Sequence, residues 1–220
     1  MALTDRPSTS PPNDLTPRSR WVGARMSLDE FLALPEEETS LEFDDGLVTQ
    51  KMAPQGDHGT LQYQIAKRFD LAGESLRLGK VFTETRFVTP QWSPVPDVSF
   101  YQRARIRLAS RDQIGDFQIP PDIAVEIVSP SQSVGELLRK CLRYAELGVA
   151  ISLVVDQRDR TIYDIRPGEP LRVLREDDPV DLAPVLSGLD LTVRALFDAA
   201  VNDWLLEPDP PAVGQTDAPD

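Results

Sequence analysis

Glu126 is the residue that packing alone explains least. It sits inside Ile123-Ala124-Val125-Glu126-Ile127-Val128, a run that otherwise reads as a buried β-strand. An ionised carboxylate among apolar groups is strongly disfavoured unless it meets a cation or takes up a proton. On an extended strand Ile123, Val125 and Ile127 share one face, and Asp122, Ala124, Glu126 and Val128 share the other. Small Ala124 and apolar Val128 give that second face no solvated character. Glu126 therefore points into a pocket, pairs with a structural Arg or Lys, or lies at a sheet edge.

Other residues of the right chemistry have competing readings. Asp97, in Val-Pro-Asp-Val, heads a second β-branched strand. Pro-Asp is also an ordinary turn pair, and Pro121-Asp122 repeats it. Lys140 follows on the helix after Glu126, where it either reaches the carboxylates or pairs with Glu136 one turn away. Glu42, just before an Asp45-Gly46 turn, is a site carboxylate or a surface strand residue. His58, beside Gly59 at a helix start, is a cap or a substrate contact.

Composition removes whole classes of chemistry. One histidine leaves no zinc motif of paired histidines, and one cysteine, Cys141, leaves no internal disulfide and no multi-cysteine metal site. No phosphate-binding glycine loop and no nucleophile elbow is present. A metal, if used, is a hard cation held by carboxylates. The net charge of −13 works against a nucleic-acid partner, whereas Arg103, Arg105, Arg107 and Arg111 form one basic patch. No apolar run approaches the roughly 20 residues that span a bilayer, no secretory signal opens the chain, and a reducing cytoplasm is expected.

The elements that must position these residues follow from local signals. Residues 1–24 read as a disordered arm, 25–203 as one domain and 204–220 as a disordered acidic tail. Within the domain, Ser27 and Glu30 make a capping box, and Asp45-Gly46 joins two short strands. Leu61, Ile65 and Phe69 line one helical face, and "KVFTETRFVT" and "VPDVSFY" are strands. "DIAVEIVS" is followed by a helix that Ser133 and Glu136 cap and Gly148 ends. "ISLVVDQ" and "TIYDIR" flank Asp159-Arg160, and "GLDLTVRALFDAA" closes the domain. The expected fold is α/β (α+β), a mixed central sheet flanked by helices, with residues 122–156 as a strand–helix–strand crossover between parallel strands.

In this order, "LEFDDGLV", "HG", "VPDVSF", "PDIAVEIVSPS" and "RKCLRYAELGV…VVD" resemble the Uma-two family, bacterial proteins described as restriction endonucleases within the PD-(D/E)XK nuclease superfamily. The resemblance runs from about Met26 to Phe197 and implies a restriction-endonuclease-like fold. It makes Asp97 the acid of the PD motif and Glu126 the acid of (D/E)XK. The motif's lysine would fall at Val128, which cannot do its work, and Lys140 occupies the place from which the family supplies one instead. Glu42 matches an acidic residue contributed by an early element. The resemblance thus implies a Mg²⁺-dependent endonuclease acting on DNA, with Mn²⁺ as a substitute ion and no small-molecule cofactor. Asp97, Glu126 and the carbonyl of Ile127 would hold the ion. Lys140 would orient water or stabilise the phosphate, and Glu42 would help position an ion. His58, Arg103, Arg105 and Arg107 would contact the nucleic acid, and a homodimer would serve both strands. The alternative is an inactive module on the same fold that binds nucleic acid or a protein.

Overall fold

The computed structural model describes residues 18–35, 40–51, 56–106, 117–130 and 132–201. A six-stranded sheet runs through it. Its strands are β3 (Gly79–Thr83), β5 (Val98–Gln102), β6 (Ile123–Ile127), β7 (Ile151–Asp156), β8 (Thr161–Ile165) and β9 (Arg172–Arg175), in that spatial order. Only β6 and β7 are parallel, and every other neighbour is antiparallel. A smaller sheet of three strands places β1 (Leu41–Asp44) between β2 (Leu47–Gln50) and β4 (Trp92–Ser93).

The alternation within β6 decides what each face buries. Ile123, Val125 and Ile127 join a core that includes Leu61, Ile65 and Phe69 of helix α2 (Gly56–Ser75) and Leu196 and Phe197 of α5 (Val193–Ala200). Ala124 and Val128 face the other way, into a cluster with Leu137, Cys141 and Tyr144 of α4 (Val134–Glu146). The mixed sheet therefore has helices on both faces. The crossover expected over residues 122–156 is β6–α4–β7, with Glu126 opposite Val154.

Local signals account for most boundaries. Both capping boxes are closed: at Ser27–Glu30 before α1 (Leu28–Leu32), and at Ser133–Glu136 before α4. Asp45 and Gly46 both take positive φ, 46° and 86°, as a tight hairpin between β1 and β2 requires. At Gly79 a Cβ would lie 2.1 Å from the Tyr101 carbonyl oxygen, so only glycine lets β3 lie against β5 there.

Two boundaries differ from expectation. "KVFTETRFVT" is not one strand. β3 ends at Thr83, and Glu84 turns the chain with φ 49°, which a strand cannot hold. Residues 18–24, placed in the N-terminal arm by composition, lie against the small sheet. The Gly23 N–H donates to the Val48 carbonyl at 2.9 Å, and Trp21 and Val22 pack on its core. The rest of the expected arm, the acidic tail, Arg107 and Arg111 lie outside the described residues. Among the described residues no helix is long and apolar enough to cross a membrane.

Candidate functional site

The end of β6 gathers side chains from several separate stretches of chain. Pairing brings the first two together. Val98 of β5 lies opposite Val125 of β6, so Asp97, one residue before β5, arrives beside Glu126 and Ile127. The Ile127 N–H donates to Asp97 Oδ2 at 2.6 Å. Asp97 and Glu126 are each about 2 % exposed, so neither carboxylate is charge-balanced by solvent.

Each inner carboxylate has its own lysine. On the Glu126 side, α4 supplies two residues one turn apart. The Tyr144 hydroxyl donates to Glu126 Oε1 at 2.6 Å, and Lys140 Nζ lies 3.1 Å from the same oxygen. Lys140 also donates to Glu42 Oε1 at 2.8 Å, and that oxygen accepts the Val95 N–H at 2.8 Å. Lys140 thus reaches the carboxylates Glu126 and Glu42, and Glu42 is held by Lys140 and the Val95 N–H. Glu136 is not the partner of Lys140, because the Ser133 capping box already engages its carboxylate.

On the Asp97 side the lysine is Lys51, which follows β2. Its ammonium lies 2.8 Å from Asp97 Oδ1 and donates to Glu84 Oε2 at 2.7 Å. Although Lys51 is close to Oδ1, the angles are wrong for a hydrogen bond, and Oδ1 has no aligned donor. Gln62 of α2 donates from its amide to Glu84 Oε1 and to the Asp97 backbone carbonyl, both at 2.8 Å.

His58 is neither a cap nor a surface residue. It lies inside α2, 2 % exposed, with Nε2 3.3 Å from Asp97 Oδ2. Arg105 turns inward. It pairs with Asp122 at 3.0 Å and donates to the Pro120 carbonyl at 2.9 Å, which braces the start of β6. Arg103 is exposed at the start of α3 (Arg103–Ile106). Val128, at the motif lysine's position, is packed in the core at 3 % exposure.

Burial and charge set the protonation of the site. Burial pushes the Glu126 carboxyl up and Asp97 pushes it further; Lys140 and Lys51 oppose them, and the result is about 7. Burial also pushes Asp97 up, but Lys51 and His58 outweigh it and hold Asp97 below the usual carboxylate range. Burial lowers Lys140, yet Glu126 and Glu42 more than reverse this, so Lys140 stays charged. The same opposition, with Asp97 and Glu84 as the anions, raises Lys51.

The donor set fits a hard divalent cation in charge and type. Among the described residues, Glu42, Glu84, Asp97 and Glu126 form ion pairs with the two lysines Lys51 and Lys140, four carboxyls to two ammonium groups. Asp97 Oδ1 is a buried carboxylate oxygen lacking an aligned donor. Among the described residues no three Asp, Glu, His or Cys side chains form a ready-made cage, so an ion here would rely on an inner carboxylate pair, backbone oxygen and water.

Sequence reasoning missed Lys51, Gln62, Glu84 and Tyr144. Tyr144 had a signal, since it lies four residues after Lys140 on the same helix. Lys51 and Glu84 had none, because their meeting joins residues 33 apart.

A family model described as "Uma2: Putative restriction endonuclease" matches residues 28–194. Among solved structures, a crystal structure of a protein described as a putative nuclease belonging to DUF820, from Anabaena variabilis, is 31% identical with a TM-score of 0.73. The match covers 80% of this chain and 99% of that one. No curated protein matches.

Proposed function

Because the chain belongs to the Uma2 family and has a restriction-endonuclease-like fold, we propose that it is a divalent-metal-dependent nuclease that hydrolyses phosphodiester bonds of DNA. The observation that carries this reading is the meeting of Asp97 and Glu126 at the end of β6, each with a lysine against it. Asp97, Glu126 and the Ile127 carbonyl are the groups that would hold Mg²⁺, or Mn²⁺ in its place. When bound, the ion supplies charge neutralisation at the phosphate and a water of lowered pKa.

The chain's own groups do the rest. The Ile127 N–H holds Asp97 Oδ2, with His58 Nε2 3.3 Å from it, and the buried Oδ1 is the oxygen left for an ion. Tyr144 fixes Glu126 Oε1. Glu42, itself held by the Val95 N–H, anchors Lys140 so that its ammonium stands at Glu126. There Lys140 can place a donor on the attacking water or on a phosphate oxygen, the part the motif lysine would play. Glu42 thus serves by positioning Lys140. Arg103 is an exposed candidate for backbone contact. Two copies related by a two-fold axis would address both strands of a duplex. A cytoplasmic setting suits the buried free thiol of Cys141.

The test is incubation of supercoiled plasmid with the full chain and MgCl₂ or MnCl₂, beside Asp97→Ala, Glu126→Ala and Lys140→Met. Nicking by the wild type, reduced on the order of 10²-fold or more in each variant, is the expected result. Failure of the wild type to cut DNA, or cutting that survives both carboxylate substitutions, would overturn the reading in favour of a non-catalytic module.

A further inference from the structure

The two lysines of the site are anchored alike. Lys140 donates to Glu42 and leans on Glu126, and Lys51 donates to Glu84 and leans on Asp97. They differ in what they leave behind. Glu126 Oε1 has an aligned donor in Tyr144. Asp97 Oδ1 has only the nearby charge of Lys51, with no aligned donor. Asp97 does not depend on Lys51 for its orientation, since its other oxygen is held by the Ile127 N–H and flanked by His58.

Glu84 is built to keep the ammonium. Its backbone takes the left-handed φ of 49°, and Gln62 holds its second carboxylate oxygen at 2.8 Å. Lys51 is only 9% exposed, so water offers it little alternative partnership.

We propose that Lys51 is an exchangeable counterion: it balances Asp97 in the metal-free protein and withdraws onto Glu84 when a divalent cation takes Asp97 Oδ1. Lys51 is then a positioning residue that sets how readily the ion enters. This rests on the metal-binding reading above. A carboxylate buried without a counter-charge is strongly unfavourable, so the metal-free fold needs a resident cation. An ammonium and a divalent cation on the same carboxylate oxygen repel each other, so entry of the ion favours withdrawal of Lys51. Glu84 makes leaving possible without abandoning the ammonium in a buried place.

The experiment is calorimetric titration of the full-length protein with MgCl₂, with no substrate present. The variants are Lys51→Met, Glu84→Gln, the double variant and Asp97→Asn, and Lys51→Gln replaces Lys51→Met should the latter not fold. Lys51→Met should bind Mg²⁺ about tenfold more tightly, and the gain should persist in about 0.5 M KCl, because a buried contact is poorly screened. Its thermal midpoint should fall in EDTA and rise more on Mg²⁺ addition than that of the wild type. Glu84→Gln should bind severalfold more weakly, and that loss should vanish in the Lys51→Met background, because Glu84 acts through Lys51. Unchanged or weaker binding by the Lys51 variant, a gain that disappears in salt, or a Glu84→Gln loss of equal size in both backgrounds overturns the exchange alone. Wild type that titrates no better than Asp97→Asn overturns the metal reading and the exchange with it.

Discussion

At the scale of single residues, Glu126 and Asp97 are adjacent carboxylates that titrate in opposite directions, and this has a measurable consequence. The Glu126 carboxyl is raised from 4.5 to about 7, chiefly by burial. Between those values the folded state binds more protons than the unfolded state, so stability falls as pH rises through the window. Asp97 is shifted below its ordinary 3.8, so its contribution is present above that value and is lost only as pH falls further. In EDTA, the urea midpoint of the wild type should therefore drop between about pH 5 and pH 7.5, and Glu126→Gln should remove most of that slope. Equal slopes in the two proteins would mean that Glu126 does not carry the proton. Sequence made Glu126 conspicuous because one acid interrupts an apolar run. It could not choose between Glu136 and the site carboxylates as partners of Lys140, nor foresee Glu42 in that place, because only the fold brings residues 98 apart within 2.8 Å.

Among the elements, α4 matters most to the site, because it presents Lys140 and Tyr144 together. Its start is fixed by the Ser133 hydroxyl, which accepts the Glu136 N–H at 3.2 Å, while the Glu136 carboxylate accepts the Ser133 N–H at 2.9 Å. This box does two things. It caps the helix, and it engages the acid that would otherwise compete for Lys140. Ser133→Ala should lower stability by about 1 kcal/mol in chemical denaturation. Because the helix stays anchored by Leu137, Cys141 and Tyr144, Mg²⁺ affinity should change less than twofold. A loss of metal binding as large as that of a carboxylate variant would show that the cap positions Lys140 rather than merely starting the helix. Capping boxes and the Asp45-Gly46 turn are legible because their partners lie within a few residues of each other. The two-residue β4 and the end of β3 at Glu84 are not, since pairing with β1 makes the one and contacts with Lys51 and Gln62 accompany the other.

For the whole molecule, a net charge of −13 works against the polyanionic substrate proposed above. The arrangement of elements was readable, because the parallel crossover and the two-faced β6 follow from local periodicity. The charge is a global quantity, and its effect depends on where it sits. Part of it lies away from the site in sequence: residues 202–220 carry Asp203, Glu207, Asp209, Asp217 and Asp220 and no Lys or Arg. Removing them takes the net charge from −13 to −8, a difference of five. Repulsion between a charged segment and DNA acts through solvent, so it is strong at low ionic strength and is screened beyond about 10 Å at 0.1 M salt. A chain ending at Val201 should therefore bind a short DNA duplex severalfold more tightly than the full chain at about 20 mM KCl, and equally at about 300 mM. Fluorescence anisotropy in Ca²⁺, an oxygen-seeking ion with looser coordination geometry than Mg²⁺, would read binding with cleavage suppressed. A gain that is the same at both salt concentrations would place the tail in direct contact with the DNA-binding surface. No gain at low salt would mean that DNA is held by local charges such as Arg103, and that the acidic excess does not tune affinity at all.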